Sequence, residues 1–168
     1  MARFLHITDA RLARAVLRSG LKPQTWGTEA NVYCVPVVPN FMTTFQWARE
    51  LRRSGYRSSI AVVFVIPDGE TVKVGRYNDE GKSVSAAEAV AAFMSASDPL
   101  GLEVRIPRSI APQELRGLRP VPRFAGWRYY PGAHGNRPYW AVPGSMKANR
   151  LRKSIEKAHE DADPWSKL

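Results

Sequence analysis

The chain has 168 residues, 44% of them hydrophobic, a single cysteine and a formal net charge of +10. That size and apolar fraction predict one globular domain, 1–168, with a proper core, and exclude a disordered chain. Cys34, read as an inert buried thiol, excludes an internal disulfide and a cysteine-built zinc site. No apolar run approaches the roughly 20 residues needed to span a bilayer.

Phe4-Leu5-His6-Ile7-Thr8 alternates with the period of two that half-buries a strand, and sets His6 among β-favouring residues. Thr8 or Asp9 then caps a helix whose Leu12, Ala13, Val16 and Leu17 form one apolar face, with Gly20 as its stop. Residues 32–38 read as a strand carrying Tyr33, which Pro36 confines to an edge or a bulge. A second helix starts near Asn40 or Thr43 and runs through Phe45, Trp47, Ala48 and Leu51 to Gly55. The β-branched run 59–66 has the character of a central strand, Pro67-Asp68-Gly69-Glu70 turns the chain, and 71–77 returns as its hairpin partner. Ser85 and Glu88 make a capping box for a helix over 86–96.

Leu102-Glu103-Val104-Arg105-Ile106-Pro107 is a further strand. A carboxylate there is solvated, paired with Arg105 or another arginine, or used in chemistry, because burying it unpaired is costly. Ala111 to Leu115 forms a helical turn, 118–144 an ordered loop with short strand, and a basic helix over 147–159 closes the chain. This order predicts an α+β fold with mostly antiparallel sheet, and no glycine-rich phosphate loop is present.

Between residues 104 and 153, eleven basic side chains stand against Glu114 alone. Such a stretch attracts polyanions, and an acidic protein partner fits it as well. Within it, arginines, aromatics and glycines interleave from Gly126 to Pro138, which suits single-stranded nucleic acid; Arg105, Arg128, Tyr130, His134 and Arg137 are the candidate contacts. A tight loop with Trp127 and Tyr129 plugging the core is the plainer reading. The Ala- and Arg-rich usage points to a bacterial cytoplasm; the closing Ser166-Lys167-Leu168 would be a peroxisomal address only in a eukaryote.

His6-Ile7-Thr8, the helix ending Ser19-Gly20-Leu21, Val32-Tyr33 and the Glu103 strand with Ile110 to Leu115 together resemble the ADP-ribosyltransferase superfamily, in its His–Tyr–Glu branch of poly-ADP-ribose polymerases and diphtheria-type toxins. The resemblance covers most of 4–115, which it makes an NAD-binding transferase core, with 116–168 a basic aromatic-rich extension. It implies split antiparallel sheets flanked by helices, NAD as co-substrate and no metal. His6, Tyr33 and Glu103 would be the catalytic set. His6 would bond a ribose hydroxyl of NAD, the backbone around Ile7 and Thr8 would grip the nicotinamide amide, and Tyr33 would stack on the nicotinamide. Phe45, or next Trp47, would close the sandwich, and Glu103 would bond the 2′-hydroxyl of the nicotinamide ribose.

Two departures stand out. Ile7 occupies the position where relatives often carry Gly, and Gly101 stands where arginine-modifying relatives carry Glu or Gln, which argues against an arginine acceptor. The resemblance and the charge together imply a mono-ADP-ribosyltransferase acting on DNA or RNA, toxin- or defence-like. An RNA 2′-phosphotransferase of the same architecture and a non-catalytic nucleic-acid-binding module are the competing readings.

Overall fold

A computed structural model describes residues 1–121 apart from 27, 28, 54, 56, 57 and 78, together with 146, 150 and 153. The chain divides into two compact units, Met1–Trp127 and Arg128–Leu168. The first is an α+β unit built on a sheet ordered β6-β5-β7-β3-β1-β4-β8, with β2 (Gln24–Trp26) beside β3, and every pairing among the described residues is antiparallel.

Three strands form the middle of this order. β1 (Ala2–Asp9) lies between β3 (Glu29–Pro36) and β4 (Ser59–Ile66). β7 (Leu102–Ile106) flanks β3 on its other side, and β5 (Thr71–Arg76) with β6 (Lys82–Ser85) completes that half. β4 is buried on both faces from Ala61 to Ile66, and its buried backbone groups need strand partners along both edges. It finds them in β1, over all eight residues, and in β8 (Leu115–Pro120). The expected hairpin of 59–66 with 71–77 therefore does not form: the turn at Pro67 carries the chain across to β7 and β6 instead. β8 also extends the sheet beyond residue 115.

Helices cover the sheet locally. Asp9, not Thr8, caps the turn Ala10–Leu12 through the Arg11 amide, and α1 (Ala13–Ser19) follows. Of the expected apolar face, α1 buries Val16 and half-buries Ala13, while Leu17 and, in the preceding turn, Leu12 are exposed. The helix expected over 40–55 is broken into α2 (Phe41–Thr44) and α3 (Ala48–Arg53). α4 (Ala86–Ser95) begins at the Ser85–Glu88 capping box, worth about 1 kcal/mol, and buries Ala86, Ala89 and Phe93. Pro36 sits at the end of a central strand rather than on an edge; β7 pairs β3 only as far as Cys34, so the missing amide interrupts no ladder there. No helix among the described residues is long and apolar enough to cross a membrane.

Candidate active site

The sheet loosens where β1 meets β3. The two pair only at Phe4–Pro36 and Leu5–Val35, backed by a bond from the Val37 amide to the Arg3 carbonyl. Beyond Leu5, β1 is paired among the described residues on the β4 side alone. Strand alternation sends the His6 side chain to the face opposite Val35 and Tyr33, yet its ring reaches across the junction: Nδ1 lies 2.7 Å from the Tyr33 carbonyl oxygen. A carbonyl only accepts, so Nδ1 carries the proton. Burial lowers the imidazole's pKa, partly offset by that bond, so the ring is neutral at pH 7 and Nε2 is left as an acceptor.

The register of β5, β7 and β3 sorts their side chains by face. Val74, Val104 and Cys34 line up on one; Lys73, Arg105 and Tyr33 on the other, with Glu103 opposite Gly75. Cys34 is buried, as expected, and burial holds its thiol well above the usual range. Glu103 is only 8% exposed, and its Oε1 accepts from Arg105 Nε at 2.8 Å. Burial pushes the Glu103 carboxyl above the ordinary carboxylate range, while Arg105 pulls it down. Tyr33 is half-buried; burial, with Glu103's charge, raises its phenol. Among the described residues no bond engages Glu103 Oε2.

Arg105, expected as a nucleic-acid contact or as the partner of Glu103, is seen here in the second role. Nη1 and Nη2 donate to the Glu80 and Arg76 carbonyls, and its side chain is 12% exposed. Gly75 makes this possible: a Cβ there would lie 2.7 Å from Gly81 Cα, so only glycine lets the β5–β6 connection fold back so closely.

Phe45 is likewise no open stacking face. It is 3% exposed and packs on Phe41 at a ring-centroid distance of 5.0 Å. Trp47 is half-buried, 5.6 Å from the Tyr77 ring, and its indole N–H donates to the Leu102 carbonyl next to Glu103. Between the two aromatics, the fully buried Gln46 accepts from the Gly101 amide at 2.6 Å and donates to the Pro99 and Leu102 carbonyls. These long-range bonds explain the break between α2 and α3, and they fix the entry into β7. Ile7 and Thr8 are buried in the β1–β4 ladder opposite Ala61 and Ile60, so only their backbone is suited to a ligand.

His6, Tyr33 and Glu103 thus fall on three adjacent strands, with His6 bonded to the Tyr33 backbone. Arg128, Tyr130, His134 and Arg137 lie outside the described residues, as does most of the basic helix expected over 147–159. Sequence reasoning missed Gln46 and the anchoring of Arg105, both set by partners distant in sequence. It also missed Asn31, 2% exposed, whose Oδ1 has no hydrogen-bond partner among the described residues. Compared with protein-family models, curated proteins and solved structures, the chain matches none.

Proposed function

We propose that the chain is an NAD-dependent mono-ADP-ribosyltransferase, with an ADP-ribosyltransferase-like split-sheet fold, that modifies nucleic acid. The observation that carries this reading is the placement of His6, Tyr33 and Glu103 on the adjacent strands β1, β3 and β7, from positions almost a hundred residues apart, with Tyr33 and Glu103 on one face and the His6 ring reaching the Tyr33 carbonyl from the other. The loosened β1–β3 junction supports the split-sheet part.

Each group has a role suited to its chemistry. His6 Nε2, an acceptor with no partner among the described residues, accepts a hydrogen bond from a ribose hydroxyl. The backbone of Ile7 and Thr8, paired on one side only, meets the nicotinamide amide. The Tyr33 ring holds the nicotinamide, and Trp47 replaces Phe45 as its aromatic counterpart. Loss of nicotinamide leaves an oxocarbenium-like ribose, and the Glu103 carboxylate stabilises that charge as it develops. The acceptor nucleophile then closes the bond at the same carbon.

The Glu103–Arg105 pair favours a second reading, a nucleic-acid-binding module without activity, because a neutralised carboxylate stabilises a cation less. NAD separates the two: a ligand that binds the native state raises Tm by mass action, and a pure nucleic-acid module shows no such shift. The test of function is incubation with labelled NAD together with DNA, RNA and protein. Label retained on nucleic acid with nicotinamide released is the expected outcome; label left entirely on NAD contradicts the proposal.

A further inference from the structure

Glu103 and Arg105 stand two residues apart on one face of β7, and all three kinds of donor nitrogen on the guanidinium are engaged. Nε bonds Glu103 Oε1 at 2.8 Å, Nη1 the Glu80 carbonyl at 3.1 Å and Nη2 the Arg76 carbonyl at 3.3 Å. Two of these anchors belong to the end of β5 and its connection to β6, so the guanidinium is fixed from outside its own strand. The planar fork meets three acceptors at once, which the single ammonium of lysine does poorly. We propose that Arg105 is a positioning residue for Glu103, holding Oε1 so that the carboxylate keeps one orientation and presents Oε2 to the ribose hydroxyl.

The ribose half of this inference rests on the transferase reading; the anchoring of the carboxylate does not. Around the pair, Tyr33 and Cys34 on β3 feel the Glu103 charge. Of the other nearby ions, Lys73 on β5 is bonded to Glu29 on β3 at 2.6 Å, and Glu29 also feels the Arg105 charge. Arg105 is the cation that pulls this buried acid down, against the larger upward push of burial.

The test compares Arg105→Met and Arg105→Lys with the wild type, reading nicotinamide release against pH and the Glu103 carboxyl midpoint by carbon-13 NMR. In Arg105→Met, kcat falls about 100-fold with KM for NAD little changed, as expected for a misplaced group. Its acid limb and the carboxyl midpoint both move up by about one pH unit. Arg105→Lys restores the midpoint and recovers only part of kcat. A midpoint and acid limb unmoved in Arg105→Met overturn the proposal, as does full kcat in Arg105→Lys when Arg105→Met does not fold. If the wild type itself releases no nicotinamide, the transferase reading fails on its own, and the NMR midpoint alone decides whether Arg105 holds Glu103: an upward shift supports the anchoring, and none overturns it.

Discussion

The His6 ring spans the seam of the sheet, its Nδ1 2.7 Å from the Tyr33 carbonyl oxygen. β1 and β3 stop pairing at Leu5 and Val35, and the imidazole supplies a bond where the backbone ladder has ended. One contact thus repairs the seam and fixes the tautomer of a candidate ligand-binding ring.

The burial of that ring has a pH signature, which the bond to Tyr33 partly offsets. The folded pKa of His6 lies below its unfolded value, so between the two the unfolded state binds more protons and stability falls as pH drops. The loss begins below about pH 6.5, the unperturbed histidine value, and is complete once pH has passed the folded pKa. His6→Gln is expected to flatten Tm against pH over that window while lowering Tm at neutral pH. A slope unchanged by the substitution would place the titrating group elsewhere.

Glu103→Gln separates chemistry from fold. Losing the developing-charge partner is expected to cost nicotinamide release about 3–4 kcal/mol, two to three decades in rate. The amide oxygen still accepts from Arg105 Nε, but the guanidinium loses its counter-charge, so thermal unfolding should show a loss of about 1–3 kcal/mol. Undiminished turnover in this variant removes the catalytic assignment.

How far these residues were legible follows from the range of the forces involved. The strands at 4–8 and 102–106, the capping box at Ser85 and the buried run 61–66 rest on local patterns and survive in the fold, but burial on β1 and β7 does not alternate as the period of two predicts. The 59–66/71–77 hairpin failed because a turn signal fixes a reversal, not a partner, and β4 was better paired by β1 and β8. The continuous helix over 40–55 failed because Gln46 and Trp47 are held by carbonyls more than fifty residues away. In the site, the positions of His6, Tyr33 and Glu103 on strands were legible. The exclusion of Phe45 and the anchoring of Arg105 were not, since both depend on tertiary packing.

Gln46→Leu tests the clamp ahead of β7. The replacement has similar volume but leaves the buried Gly101 amide without its acceptor, while the Pro99 and Leu102 carbonyls keep the Leu102 amide and the Trp47 indole as donors. The unpaired amide costs about 1–3 kcal/mol, so denaturant unfolding should report a loss of that size. A midpoint within error of the wild type would mean that residues 99–102 hold their path without the clamp.

Gly75→Ala tests the approach of the β5–β6 connection. The added methyl collides with Gly81 backbone rather than with a flexible side chain, so about 1–3 kcal/mol of stability is expected to be lost. The Arg105 side-chain resonances should shift with it, because Glu80 and Arg76 supply two of its acceptors. Loss of stability with Arg105 undisturbed would separate the turn from the site.

The most direct measurement is an amide NMR titration of the folded protein with NAD. Shifts concentrated around residues 6–8, 33 and 103, on β1, β3 and β7, are the predicted result, weakened in His6→Gln. No shift at millimolar NAD, or shifts that avoid these three strands, would contradict the claim that they hold a dinucleotide.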